Sequence, residues 1–578
     1  MKTKTSLLCG AAVAVVCLIG AGSAAEAKTV KHHHAVRAEK VDETAALRSE
    51  VNELREQVDA LKAWRDSQAA NQAQSQAQLA QVKQQLADAQ AQAQAAQAKV
   101  DAQIETIPGV VHKEVLAAAP KDDTLHFAVD PDTGKSALSL TFGGFLAMES
   151  VYRNHQEGAD VVSTFSGIPL PNVATAHLKE ARFSARQSRL TILAQGDVPN
   201  TGIHMTGYYE MDFQGAAQTA NSVESNSFNP RIRNIYSTVD WDRDFGGVQL
   251  LAGQNWSLAT LNTKGITPRN EQVPVTIDMQ YVVGFNWTRQ PQVRLTANIN
   301  KQWWFAASLE NPQTTFYSSG KFISAVSPVP TITIPGGSAF NSANSLSLND
   351  VPDVIGKVAY DNPIQGHTFH IEAFGIYRDF YSRLNYAGAP YNGHTAGGGF
   401  GGGIIVGVVP KMLDLQFSGL AGRGIGRYGS GQLPDVSFGV DGLVHPIQEY
   451  EIMAGGVFHY GKALDVYTYA GEEREKPQDY TSGTLFNGYG NPNYSNLGCE
   501  TEGSTDCVGN THFVDQISAG FWDRPFTLRF GTFQWGIQYS YTERHTFPGY
   551  GVTAGAPGNP APVARENMVF TSIRYYPF

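Results

Sequence analysis

The chain has 578 residues, with 58 glycines, 29 phenylalanines, 24 tyrosines and 8 tryptophans but only 4 cysteines, and a formal net charge of −10. Glycine and aromatics at this level favour an antiparallel β-protein, and the negative balance excludes a general nucleic-acid role. After residue 27 no apolar run reaches the roughly 18 residues that an inner-membrane helix needs; the nearest stretch, 397–409, is mostly glycine.

Lys2 and Lys4, the apolar stretch from Leu7 to Gly22 and the site Ala25-Glu26-Ala27 read as a secretory signal peptide over 1–27, so the mature chain starts at Lys28. Cys9 and Cys17 fall inside it behind Leu8 and Val16, not behind the small residue of a lipoprotein signal, which argues against a lipid anchor. Residues 28–44 form a linker in which His32, His33 and His34 sit in a basic tract; a solvated linker accounts for them better than a metal site. From Ala45 to Ile107 apolar residues keep a heptad frame, with Val51, Val58, Leu79, Leu86, Val100 and Ile107 on one position and Leu47, Leu54, Leu61 and Val82 on its partner. Only such a seam can leave water, so the segment predicts an α-helical coiled coil and oligomerisation. Polar and alanine layers at Gln68, Gln72, Ala89 and Ala93 weaken it, and a single frayed helix is the other reading. Valine over leucine favours two strands when taken alone. Pro108-Gly109 stops the helix, and 108–137 reads as a connector.

From Leu138 to Phe578 segments of alternating polarity recur between loops rich in Gly, Asn, Asp and Pro. Met205, Tyr209, Met211 and Phe213 share one face, with Thr206, Tyr208, Glu210 and Asp212 on the other; likewise Val293, Leu295 and Ala297 stand against Arg294, Thr296 and Asn298. A soluble sandwich shows the same alternation. The final segment decides: Val569-Phe-Thr-Ser-Ile-Arg-Tyr-Tyr-Pro-Phe578 is an aromatic strand that ends the chain on Phe behind a secretion signal, the mark of a bacterial outer-membrane barrel. Arg574 and Pro577 interrupt an alternation that turns Tyr576 and Phe578 toward lipid, and a bulge near Tyr575 is expected to restore it. The predicted fold over 138–578 is therefore an all-β transmembrane barrel of about 16 antiparallel strands, wide enough for an aqueous channel. Cys499 and Cys507, in a polar stretch of an exported chain, predict a loop disulfide and no metal site.

Catalytic motifs are nearly absent. Gly424-x-Gly426-x-x-Gly429 has the letters of a dinucleotide fingerprint, but Ser430-Gly-Gln-Leu-Pro434 cannot open the helix that would hold a pyrophosphate, so it reads as a glycine loop. No enzyme activity, cofactor or metal is expected. Arginine is the stronger signal: Arg182, Arg186 and Arg189, then Arg231 and Arg233, then Arg289 and Arg294, all on predicted strands. A charge facing lipid costs about 2–4 kcal/mol at mid-membrane, so these side chains belong to the lumen, a subunit interface or the headgroups. In the lumen they favour carboxylates and phosphates; alternatively they pair with Glu180, Glu210, Asp212 or Glu271 and hold the wall together. Arg182 and Arg186 share parity and Arg189 does not, so a bulge must intervene if all three point inward.

In order, Arg186-Gln-Ser-Arg189-Leu, Gly207-Tyr-Tyr-Glu-Met-Asp-Phe213, Arg231-Ile-Arg233, Leu251-Ala-Gly-Gln-Asn-Trp256-Ser and Arg289-Gln-Pro-Gln-Val-Arg294 follow a signal and a coiled coil, and the whole resembles the DcaP-like porins of Gram-negative bacteria. The matching segments run from Arg182 to Arg294. The resemblance implies a homotrimer of 16-stranded barrels, each with its own pore, in outer-membrane lipid and lipopolysaccharide, with a periplasmic coiled coil bundling the chains. It further implies uptake of small anionic solutes, dicarboxylates included. Carried over, Arg186, Arg189, Arg231, Arg233 and Arg294 become pore-lining anion contacts, and Thr260 to Gln280 becomes a constriction loop whose Arg269, Glu271 and Asp278 are of mixed charge. The reading is a diffusive porin. The alternative is a structural tether, in which the Ala/Gln-rich run Gln68 to Gln103 spaces the barrel from cell wall or periplasmic partners by roughly 50–60 Å.

Overall fold

The computed structural model describes positions 58, 59, 62 and 84, residues 124–129, and residues 136–577 apart from 199–200, 216–228, 244–245, 318–330, 334–348, 363–366, 387, 441, 483–484 and 551–559. The chain divides into two compact units, Met1–Leu116 and Ala117–Phe578. In the first, Val58, Asp59, Lys62 and Gln84 are helical, and Lys62 Nζ stands 3.2 Å from Asp59 Oδ1 one turn away. The signal peptide, the linker and the remainder of the coiled-coil segment lie outside the described residues.

The second unit is a closed antiparallel barrel of sixteen strands. They are β1 (Ser136–Arg153), β2 (Glu180–Ser184 continued by Arg189–Val198), β3 (Ile203–Gly215), β4 (Asn229–Arg243) and β5 (Gly246–Trp256). There follow β6 (Arg289–Ile299), β7 (Trp303–Glu310), β8 (Asp353–Asp361), β9 (Phe369–Tyr386), β10 (Ala389–Val409) and β11 (Leu413–Arg423). The last are β12 (Gln448–Tyr460), β13 (Leu464–Glu475), β14 (Thr511–Leu528), β15 (Gly531–Thr546) and β16 (Val563–Tyr576). Each pairs with its neighbour in sequence, and β16 closes on β1 from Leu146 opposite Tyr575 to Arg153 opposite Met568. Thr124–Val129, within the stretch read as a connector, is a strand paired to Ser136–Thr141. It lies on the edge of β1 that β2 does not use, beyond the end of β16, and so covers peptide groups that would otherwise be open. Short turns such as 300–302, 410–412 and 461–463 mark one rim, and long loops 154–179, 257–288, 424–447 and 476–510 the other.

Side-chain direction separates a membrane barrel from a soluble sandwich. Met148, Met205, Leu295, Phe417, Ile517 and Ile573 are exposed on the outside, whereas Glu149, Thr206, Arg294, Gln416, Gln516 and Ser572, one residue along, are buried inside. An apolar wall around a polar interior fits a lipid surrounding and no aqueous one.

The C-terminal strand corrects one expectation. Tyr575 pairs with Leu146 on one side and Phe533 on the other with no bulge, so even positions stay inside. Arg574 therefore reaches Glu149, Nη2 to Oε1 2.6 Å, and Tyr576 turns into the lumen against Phe145, ring centroids 5.2 Å apart, instead of facing lipid. The buried carboxylate favours this parity, because a guanidinium turned outward would face lipid.

On the long-loop rim Cys499 and Cys507 form a disulfide, Cα atoms 4.8 Å apart, and Ile168 and Leu170 pack against it. The bridge thus joins a cluster shared by the loops 476–510 and 154–179.

Candidate functional site

The loop 257–288, between β5 and β6, folds into the barrel and is sewn to the walls by its backbone. Gly265 N–H donates to Asp361 and Asn262 N–H to Glu372, at 2.8 and 3.1 Å, while Lys357 Nζ donates to Thr260 O at 2.7 Å. Farther along, Ile277 N–H donates to Gln538, Val283 N–H to Gln516 and Gly284 N–H to Glu473, at 2.5, 3.2 and 2.6 Å. The loop thus crosses from β8 and β9 to β13, β14 and β15. Gly284 makes the closest approach: at φ +84°, a Cβ there would stand 1.9 Å from the Ile452 carbonyl oxygen, so only glycine lets the loop reach the wall. Opposite it Gly471 is equally cramped, since a Cβ there would stand 1.9 Å from the Val283 carbonyl oxygen.

The arginines come together through two irregularities in the strands. Residues 185–188 interrupt β2, with Ser188 Oγ accepting from Ala147 N–H at 2.9 Å, and this break brings Arg189 inward despite its parity. A register shift between β3 and β4 sets Glu210 opposite Asn234 but Met211 opposite Ile232, leaving Arg233 as the extra residue. The result is an alternating ladder. Arg189 Nε lies 3.3 Å from Glu210, Arg233 bridges Glu210 and Asp212 at 2.5 and 3.0 Å, and Arg231 grips Asp212 side-on at 3.0 and 2.7 Å. Three guanidiniums share two carboxylates, so the ladder keeps a positive excess.

The ladder faces a cavity of about 430 Å³ beside the inserted loop. Arg189, Arg233, Arg269, Arg524 and Arg574 line it against only two carboxylates, Glu210 and Glu271, with Tyr208, Tyr281, Trp256, Trp522 and Tyr576 filling the perimeter. Arg269, at φ 68°, donates to the Tyr236 hydroxyl at 3.0 Å and lies over the Tyr208 ring. Burial pushes the Glu271 carboxyl above its ordinary range, against the pull of Arg294 and Arg269.

The other residues singled out by sequence stand off this cavity. Arg186 binds Asp160 at 2.5 Å and the Phe213 carbonyl at 3.1 Å, joining the first long loop to β3. Arg294 is buried under the inserted loop, donating to Gln292 at 2.9 Å and to the Trp256 carbonyl at 2.5 Å. Arg182 remains largely exposed, 3.5 Å from Glu180. Asp278 is fully buried and accepts from Ser163 and Gln280 N–H at 3.3 and 2.9 Å, so it holds the loop; burial raises its carboxyl too. Gly424 to Gly429 holds a single 3-10 turn, Gly426–Tyr428, and opens no α-helix.

No family model and no curated protein matches the chain. Among solved structures, the crystal structure of the outer membrane channel DcaP of Acinetobacter baumannii is similar to it at 16% identity and TM-score 0.52, over 78% of this chain and 100% of that one. The chain has the DcaP channel fold. Lower similarities link it to an anion-selective porin from Comamonas acidovorans, 12% identical at TM-score 0.37 over 76% of this chain and 99% of that one. Pseudomonas putida OprB is 11% identical at TM-score 0.39, over 75% and 94%. The resemblance to the DcaP-like porins thus holds at the level of the fold.

Within this DcaP-type barrel two arginines at the cavity escaped the sequence reading of the site. Arg524 pairs with Asp465 at 2.7 Å, and Arg574 lies between Phe145 and Trp522, 4.6 and 4.5 Å from their centroids. Arg574 carried a signal, since it broke an apolar alternation; Arg524 carried none.

Proposed function

We propose that the chain forms a water-filled channel in the bacterial outer membrane, through which small solutes diffuse passively with a preference for anions such as organic and dicarboxylic acids. The observation that carries this reading is the surplus of arginine around the narrowed lumen, five guanidiniums against two carboxylates. Fixed donors beside low-dielectric walls replace part of the hydration of a carboxylate as it passes, and they raise the energy of a cation at the same point. The ladder keeps this effect because its three guanidiniums share two carboxylates, whereas Arg524 and Arg574 have partners of their own, Asp465 and Glu149, set behind the lining. Glu271 tempers it. In the same reading the apolar wall contacts outer-membrane lipid and lipopolysaccharide, the barrel is one subunit of a homotrimer, and the segment 45–107 bundles three chains in the periplasm.

The test is conductance of the purified full-length protein in planar lipid bilayers. Stepwise openings, in groups of three for a trimer, are expected, and a chain truncated before Pro108 should keep them. A protein that inserts yet never conducts would overturn the channel reading in favour of the tether.

A further inference from the structure

Four glutamates lie side by side on the inner face where β12 meets β13. Glu449 pairs in register with Glu475, and Glu451 with Glu473, so like charges face one another across the strands, which destabilises a sheet on its own. All four are buried, between 0 and 3% exposed. Among the described residues none of them has a lysine, arginine or histidine within ion-pair distance. Arg378 is bound to Asp353 and Asp435, at 3.3 and 2.7 Å, and Arg474, on the outer face of β13, to Glu472 at 2.7 Å. Carboxylates taken out of water without a counter-charge are strongly destabilising.

Hydrogen bonds serve only part of the cluster. Glu473 accepts from Gly284 N–H at 2.6 Å and from Gly431 N–H at 2.9 and 2.8 Å, one to each oxygen, and Glu451 accepts from Asn286 Nδ2. Both oxygens of Glu449, both of Glu475 and Oε1 of Glu451 are closed to solvent with no hydrogen-bond partner, since the Tyr489 hydroxyl beside Glu475 donates to the Thr511 carbonyl instead. Asn286 Oδ1, brought in by the inserted loop, is likewise buried and unserved. The glycine loop singled out in the sequence fits over these carboxylates: a Cβ at Gly426 would stand 2.9 Å from Glu449 Oε2, and one at Gly429 or Gly431 would run into Glu473 Oε2.

We propose that Glu449, Glu451, Glu473 and Glu475 bind a divalent metal ion, calcium by preference, held between β12, β13 and the two loops that cover them. The donors are oxygens, with no histidine or cysteine among them, which suits a hard cation. Calcium takes roughly six to eight oxygens in an adaptable geometry, whereas magnesium demands a near-ideal octahedron that four side chains on two strands do not preset. The ligand oxygens are closed to solvent because the ion is enclosed as the loops 257–288 and 424–447 fold over the strands, and Glu449 and Glu475 also border a groove of about 920 Å³. Through Gly284, Asn286 and Gly431 the same glutamates tie both loops to the wall. Such an ion holds wall and loops together whether or not the barrel conducts.

The experiment refolds the full-length chain into detergent micelles with calcium chloride, passes it over a chelating resin and counts the retained metal by elemental analysis. About one calcium ion per chain is expected, and Glu449→Gln/Glu475→Gln should weaken its binding by at least about tenfold. Glu543→Gln, on the outer face beside Asp515 and His545, controls for calcium at surface carboxylates and should retain the ion as the wild type does. The double variant relieves repulsion, so its barrel should form, which circular dichroism checks; if it does not fold, Glu451→Gln takes its place with the same expectation. Calcium should also raise the thermal unfolding midpoint of the wild type more than magnesium at equal concentration. A wild type that retains no calcium, whose buried glutamates are then neutralised by protons, overturns the site. Equal retention by wild type and the glutamine variant, or loss of the ion in Glu543→Gln instead, overturns it as well and marks the calcium as an adventitious ion only.

Discussion

Arg233 and Glu210 meet across a strand irregularity, Nε 2.5 Å from Oε1, and the same guanidinium reaches Asp212 at 3.0 Å. Both carboxylates are buried, so removing the cation strands them in a medium that solvates charge poorly. Arg233→Ala should therefore lower the unfolding free energy by about 3–5 kcal/mol, measured by denaturant titration in lipid vesicles. Arg233→Lys keeps the charge but cannot grip both partners, and should recover only part of the loss. An unchanged midpoint for Arg233→Ala would contradict the ladder as a structural unit.

On the proposed channel function, Glu271 predicts a pH dependence. Its carboxyl is raised above the ordinary value of 4.5, first by burial. An acid with a raised pKa takes up its proton earlier as the pH falls, and the cavity then loses one of its two negative charges. Anion preference should accordingly rise on mild acidification, before exposed glutamates titrate, and Glu271→Gln should show the high preference at neutral pH already. Reversal potentials at a series of pH values check this; a fall in anion preference on acidification in the wild type would contradict it.

The inserted loop depends on Gly284. A Cβ at that position would collide with the Ile452 carbonyl, so Gly284→Ala should push the loop away from β12 and β13 and break its bond to Glu473. Larger unitary conductance with weaker ion selectivity is the expected outcome in single-channel recording. A variant with unaltered conductance would mean that the loop does not set the narrowest section.

Lumen and lipid faces can be told apart on β6. Leu295 is exposed outside, so Leu295→Arg should cost about 2–4 kcal/mol of barrel stability in vesicles. Thr296 points inside, beside a cavity of about 330 Å³ that Asp240 also lines, and Thr296→Arg should be tolerated there. The opposite order of stabilities would reverse the assignment of faces.

Much of the barrel was legible because its information is local. Period-two alternation such as Val293, Leu295 and Ala297 against Arg294, Thr296 and Asn298 is visible within six residues, and the strand number follows from span. The parity of the last strand was not legible. It depends on Glu149, 425 residues from Arg574, which becomes its neighbour only when the barrel closes. Arg524 was hidden for the same reason. Asp278 shows a third limit: spacing placed it on the inserted loop, but only the fold reveals that its carboxylate accepts from Ser163 N–H of another loop and does not line the cavity. The interruption at 185–188, by contrast, was foreseeable from the parity of Arg186 and Arg189.

The central claim, an arginine-dominated lumen that prefers anions, is tested most directly by the reversal potential of the full-length protein under a potassium chloride gradient in a planar bilayer. The account predicts a potential of the sign set by chloride, moving toward zero when Arg189 and Arg574 are both replaced by alanine. A potential set by potassium in the wild type would contradict it.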